Sequence, residues 1–186
     1  MRYAQIRELD ISNGEGVGVA LFVQGCRFAC KNCFNPDTWD FNGGKEWTLE
    51  TEDKLVELAS RPYIKRLSIL GGEPLADENL DGVLHLVDRF RLSFPNKSIW
   101  LYSGYQWEEC QPFNEDGLLK PDKFAPNLQK ILQKRYEVIS MCTVMVDGRY
   151  IDSQRNPSKK WAGSDNQRVI DAQQSLINGK VVLYCD

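Results

Sequence analysis

At 186 residues, 42% of them hydrophobic, the chain can bury a sizeable core but is too short for two full domains. Its net charge of −3 leaves no broad basic surface, and Lys65-Arg66 and Lys159-Lys160 are too short for a nucleic-acid groove, so nucleic acid is not expected as a partner. The longest strongly apolar run, Val19 to Val23, is far too short to cross a bilayer and Met1 to Glu8 lacks the apolar stretch of a secretory signal, so a soluble cytoplasmic protein without a membrane partner is expected. In that reducing compartment six cysteines read as metal ligands or buried thiols rather than disulfides.

In chain order, Val19-Ala20-Leu21-Phe22-Val23, bounded by Gly18 and Gly25, reads as a buried strand. Thr48 is positioned to cap a helix whose first turn carries Glu50, Glu52 and Asp53, with Leu55, Val56 and Ala59 facing inward. Arg66 to Leu70 is a second strand, after which Asp77 caps a helix with Leu80, Val83, Leu84, Val87 and Phe90 at helical spacing. Ser98 to Tyr102 is a third strand, and after a less regular stretch and a helix around Leu128 to Gln133, Thr143 to Val146 is a fourth. Residues from about Asp152 form a polar tail that closes over something, with Val181 to Tyr184 as a last short strand. Such alternation implies an α/β fold with a mostly parallel sheet, in one domain over residues 1–186: a core of about 15–150 and a tail of about 151–186.

In parallel βα folds the functional groups gather on loops at the carboxyl ends of the strands. Here those loops hold Cys26-Arg27-Phe28-Ala29-Cys30-Lys31-Asn32-Cys33, Gly71-Gly72-Glu73-Pro74, Ser103-Gly104-Tyr105 and Asp147-Gly148. The C-x3-C-x2-C run puts three thiolates on one short loop, one fewer than a closed zinc site or an ordinary four-cysteine cluster takes. That count leaves one metal position open for chemistry. A metal centre held by Cys26, Cys30 and Cys33 alone has a free position for a ligand, and Gly71 and Gly72, lacking side chains, let backbone approach such a ligand closely. No catalytic acid or base is required, and the single histidine, His85, reads as structural.

C-x3-C-x2-C followed by Phe34, then Gly-Gly-Glu-Pro after the next strand, resembles the radical S-adenosylmethionine superfamily. Within it the chain is similar, over nearly its whole length, to the small activating proteins of anaerobic ribonucleoside-triphosphate reductase. The points of similarity are Asn13-Gly14, Leu21 to Cys26, Asn35, Thr38-Trp39, Ser103-Gly104-Tyr105, Val146-Asp147-Gly148 and the tail Trp161, Gly163, Ser164, Asn166 and Gln167. The resemblance implies an incomplete TIM-type βα barrel, a 4Fe-4S cluster and S-adenosyl-L-methionine as cosubstrate. It also implies that Asn32, Cys33, Phe34 and Gly72 border the cosubstrate, that the protein substrate is the reductase, made active by a glycyl radical, and that reduced flavodoxin or a similar carrier donates the electron. Glu15, Gly18 and Ala162 depart from the family, which often has proline, arginine and arginine there.

Two other readings stay open at this point. A small-molecule radical enzyme such as 7-carboxy-7-deazaguanine synthase would keep the cofactor and change the substrate. A zinc-stabilised binding module would take Cys110, Cys142 or Cys185 as its fourth ligand.

Overall fold

A computed structural model describes residues 1–113 and 127–185. One eight-stranded sheet runs through it: β1 (Arg2–Asp10), β2 (Gly18–Val23), β3 (Lys45–Glu46), β4 (Arg66–Gly71), β5 (Ser98–Tyr102), β6 (Val144–Asp147), β7 (Arg168–Asp171) and β8 (Leu183–Cys185), in spatial order β3-β1-β2-β4-β5-β6-β7-β8. Four helices accompany it: α1 (Leu49–Ser60), α2 (Asp77–Ser93), α3 (Leu128–Met141) and α4 (Ala172–Asn178). Among the described residues no helix is long and apolar enough to cross a membrane.

The sheet is parallel only in its middle. β2, β4, β5 and β6 run parallel, as βα crossovers require. β1 and β3 on one flank, and β7 and β8 on the other, pair antiparallel. The expectation of a mostly parallel sheet is thus correct for the centre and corrected at both edges. β1 carried no strand signal in the sequence because five of its nine residues are charged or amide; its Tyr3 and Ile6 nonetheless pack on the core. The polar tail is not featureless either, since it contributes β7, α4 and β8.

Side chains of the central strands alternate cleanly between two environments. Val19, Leu21, Val23, Leu67, Ile69, Ile99, Leu101, Met145 and Ile170 join Leu55, Leu58, Leu80, Leu86, Phe90, Val138 and Ile139 of the helices in one core. Ala20, Phe22, Leu70, Trp100, Val144, Val146 and Val169 point the other way, into two smaller clusters. All four helices therefore cover one face, and the opposite face is left to line a cavity.

Local signals resolve as follows. Thr48 caps α1, its hydroxyl accepting from Thr51 N at 3.2 Å. Asp77 is the first residue of α2 rather than its cap; Ala76 holds the cap position without a side-chain bond. Leu58 is fully packed while Val56 is half-buried, and Glu52 turns inward to accept from Trp47 Nε1 at 3.1 Å and to pair with Arg89 Nη1 at 3.1 Å and His85 Nδ1 at 3.0 Å. His85 is thus a structural partner on a helix surface, as its mid-helix position implied. The less regular stretch before α3 lies largely outside the described residues.

Candidate functional site

The cysteine loop begins where β2 ends and is held there by backbone. Gly25 N donates to Thr38 O at 2.8 Å and Cys26 N to Trp39 O at 3.0 Å, while buried Gln24 ties Asp37 O and Asp40 O through Nε2 at 3.0 and 2.9 Å. Gly25 has φ +99°, and a Cβ there would stand 2.2 Å from the Phe41 ring, so no other residue fits. Within the loop Ala29 (φ 46°) and Asn32 (φ 55°) are left-handed, curling the chain so that Cys33 N reaches Cys30 O at 3.1 Å. Ala29 carries only a methyl group, with no polar atom to hydrogen-bond locally and offset that conformation, which marks the loop as held by its surroundings.

Cys26, Cys30 and Cys33, all half-buried, line a single cavity of about 530 Å³ on the open face of the sheet. Burial pushes the Cys26 thiol up to about 11 and raises that of Cys30 as well; backbone N–H groups of Phe28 and Tyr150 oppose the rise at the two sulfurs. Cys33 Sγ accepts from Asn35 N at 3.4 Å. Among the described residues no three His, Cys, Asp or Glu side chains converge on one ion position. A cubane held by a single loop takes one thiolate at each of three corners. Cys110 and Cys142 are sealed in the helix-side core and Cys185 packs beside the Trp100 cluster, so none of them completes a zinc site on the loop. The donor set and the room in front of it fit a three-thiolate cluster with a ligand on the fourth iron.

The second loop locks to the first backbone against backbone. Glu73 N donates to Gly25 O at 2.8 Å and Gly72 N to Val23 O at 2.9 Å; a Cβ on Gly72 would lie 2.5 Å from Gly25 O. Gly72 and its neighbour Gly71 (φ +102°) both face the cavity. Glu73 is buried and bridges to the third loop: Oε1 accepts from Leu75 N at 2.9 Å and Ser103 Oγ at 2.8 Å, and Oε2 from Gly104 N at 2.7 Å. Burial raises its pKa, against the pull of those three donors and of Arg135. Gly104 in turn backs onto Phe28 of the cysteine loop, whose ring meets Tyr105 edge-on at 4.9 Å and lies under the Arg149 guanidinium at 4.4 Å.

The fourth loop and the tail complete the wall. Gln167 Nε2 donates to Gly148 O at 2.9 Å and Asn166 Nδ2 to Arg149 O at 2.8 Å, while Gln167 Oε1 accepts from Gly163 N at 2.9 Å. Ser164, fully buried, accepts from Ile151 N at 3.2 Å and donates to Asn166 Oδ1 at 2.7 Å. These three tail residues brace the loop after β6 instead of lying free in solvent, and Trp161, Ala162, Gly163 and Gln167 line the cavity itself.

Of the residues expected at the site, Cys26, Cys30, Cys33, Phe34 and Gly72 line the cavity, and Asn32 does not; its side chain is turned outward to Asp152 at 2.9 Å. Phe34 is 61% exposed and meets Tyr150 edge-on at 5.0 Å. The clamp by Glu73 and the brace by Gln167 had no signal beyond their membership of the quoted runs. The departures also find partners: Glu15 accepts from Tyr184 Oη of β8 at 2.5 Å, and Gly18, in register with Arg66, leaves room for that guanidinium. Arg66 is wholly buried and pairs with Asp10 at 2.6 Å, and Asp10 also takes Asn13 Nδ2 at 2.7 Å.

Residues 12–170 match the family model of the 4Fe-4S single cluster domain. The chain is 35% identical over 171 residues to the anaerobic ribonucleoside-triphosphate reductase-activating protein of Vibrio cholerae, covering 91% of this chain and 97% of that one. It is 34% identical to the protein of the same name from Escherichia coli K12, with the same coverage, and 34% identical over 170 residues to that of Enterobacteria phage T4, covering 91% and 93%. With three thiols of the signature loop on one cavity and relatives matching along nearly the whole chain, this protein belongs to the family of anaerobic ribonucleoside-triphosphate reductase-activating proteins, built on a 4Fe-4S single cluster domain.

Proposed function

We propose that the protein activates anaerobic ribonucleoside-triphosphate reductase by generating a glycyl radical on it, with a 4Fe-4S cluster on Cys26, Cys30 and Cys33 and S-adenosyl-L-methionine as cosubstrate. The observation that carries this reading is the gathering of those three thiols with Gly72 and Phe34 on one cavity, in a chain whose relatives bear the activating-protein name. When bound, cluster and cosubstrate supply a reductive cleavage to methionine and a 5′-deoxyadenosyl radical, which takes a hydrogen atom from a glycine of the reductase.

The chain's own residues bind, orient and shield. Cys26 and Cys30 shed protons on loading, since their raised thiols are protonated near neutral pH. Gly71 and Gly72 present backbone to the amino-acid end of the cosubstrate, and Phe34 with the backbone from Asn32 through Cys33 borders its adenine. Glu73 holds the Gly-Gly loop and the Ser103-Gly104 loop at fixed separation. Trp161, Ala162 and Gly163 limit water entry from the tail side.

The fold is read as an incomplete βα barrel of the radical S-adenosylmethionine type forming one domain over 1–186; the Tyr184–Glu15 contact, which joins the last strand to the loop ahead of β2, supports that curl. An external donor, reduced flavodoxin or a similar carrier, supplies the electron at the exposed outer side of the loop, where Ala29, Lys31 and Asn32 face solvent. A cytoplasmic setting suits half-buried thiols that must stay reduced.

Anaerobic electron paramagnetic resonance on the reconstituted, reduced protein tests the reading. A cluster signal that shifts on adding S-adenosylmethionine, followed by a glycine-radical doublet on added reductase, is expected. A cluster signal with cosubstrate cleavage but no doublet would overturn the substrate, and zinc without iron or sulfide would overturn the enzyme.

A further inference from the structure

Among the described residues two cations line the cavity, Arg7 on β1 and Arg149 on the loop after β6. Arg7 lies over the Phe22 ring at 4.5 Å and stands 3.8 Å from Asp10 Oδ1. Arg149 is exposed, and among the described residues no carboxylate comes within ion-pair distance of it. Its guanidinium rests instead on the ring of Phe28, in the stretch between Cys26 and Cys30, at 4.4 Å. The loop that carries it meets the cysteine loop at two further points: Tyr150 stands edge-on to Phe34 at 5.0 Å, and Asp152 accepts from Asn32 Nδ2 at 2.9 Å. The Tyr150 hydroxyl, donating to Asp152 at 3.0 Å, ties the two together. From the other side Asn166 and Gln167 hold the same loop by the carbonyls of Arg149 and Gly148. Burial raises the Cys30 thiol and nearby Cys33 adds to that rise, while the Tyr150 N–H and the Arg149 charge oppose it.

Resting on the function proposed above, we infer that Arg149 raises the reduction potential of a cluster on Cys26, Cys30 and Cys33 by holding a fixed positive charge beside its Cys30 corner. Uptake of one electron from the carrier makes the cluster and its thiolates one charge more negative. A cation and an N–H donor near a ligating sulfur favour that state over the oxidised one. Among the described residues the cavity is lined by a single carboxylate, Glu73, which is occupied by Leu75, Ser103 and Gly104 on another loop, so nothing at the Cys30 corner neutralises Arg149. Stacking on Phe28 holds the guanidinium in place, and an arginine keeps its proton at every working pH. Asn166, bound to the Arg149 carbonyl, is the positioning residue for that charge. Because Arg149 is exposed, salt screens its effect.

A redox titration followed by electron paramagnetic resonance, on the reconstituted full chain without S-adenosylmethionine or reductase, tests the inference. In Arg149→Gln the one-electron equilibrium should move about two- to fivefold toward the oxidised cluster, a midpoint roughly 20–40 mV more negative. Iron and sulfide content should stay at the wild-type level, and the difference should shrink at about 1 M salt. Arg149→Lys, which keeps the charge, should recover most of the shift. Equal midpoints for wild type and Arg149→Gln at low salt would overturn the inference, as would a lysine variant displaced as far as the glutamine one. A loss of S-adenosylmethionine affinity in Arg149→Gln with the midpoint unmoved would also overturn it, assigning the guanidinium to the carboxylate of the cosubstrate. Failure of the underlying reading looks different: the wild-type protein would itself give no iron–sulfur signal, and both would fall.

Discussion

The two faces of the sheet are made by the same strands on opposite terms. Toward the helices, Leu21, Ile69, Leu101 and Met145 meet Leu80, Leu86 and Phe90 in a continuous apolar core, and even Cys110 and Cys142 there are inert, the latter pushed up to about 12 by burial. Toward the cavity, apolar residues occur in small groups between buried charges: Arg66 with Asp10, and Glu73. The helix face stabilises the fold and tolerates no chemistry. The cavity face gives up apolar contact to hold loops, thiols and ligands at fixed separations.

The sharpest break between the faces is Cys30→Ala: it should abolish cluster assembly and cosubstrate cleavage while leaving the unfolding midpoint of the cluster-free protein nearly unchanged, checked by iron and sulfide content beside thermal melts. Leu86→Ala should do the reverse, costing about 2–5 kcal/mol in denaturant unfolding with cleavage per folded molecule preserved. Gly18→Ala puts a Cβ 2.4 Å from Arg66 Cγ and 2.6 Å from its Nη1, and should cost about 1–3 kcal/mol by displacing the buried Arg66–Asp10 pair. A wild-type midpoint in that variant would show that Arg66 has room to shift.

A smaller effect separates the faces by pH. Glu73 has its folded pKa raised above the ordinary carboxylate value, so the native state binds the extra proton. Its contribution is fully present below about 4.5, and declines as pH rises through the raised folded value. Glu73→Gln should flatten that decline in midpoints measured from pH 4 to 8; an unaltered slope would mean that the three donors hold Glu73 ionised. Smallest is Tyr184→Phe, which removes the bond to Glu15 and should cost under about 1 kcal/mol, read as a shift in the denaturant midpoint.

What could be read in the sequence follows the same division. The helix face announces itself by period: Leu80, Val83, Val87 and Phe90 at helical spacing, and β-branched runs such as Val19 to Val23, are driven inward by burial alone. The thiols were legible because a metal-ligand spacing is itself local. The edge strands were not. β1 is held by pairing with β2 and by two apolar contacts, which a mostly polar string of nine residues does not display, and Glu52 reads as a dipole-favouring surface acid until Arg89 and His85 close over it from another helix. The clamp by Glu73 and the brace by Gln167 join residues 30 and 19 positions apart, and only the folded sheet brings them together. Asn32, placed at the cosubstrate by resemblance, has a left-handed backbone and turns its side chain to Asp152, 120 positions away in the chain.

One consequence concerns time. Gly163 and Gln167, which wall the cavity, are made long after Cys33, and at about 5–20 residues per second the cysteine loop waits on the order of ten seconds for them on the ribosome. During that interval the β2 strand, its crossover helix and β4 can form while the tail side stands open. On the proposed function, the order of synthesis puts the three thiols first and the tail residues that would enclose a small cosubstrate last.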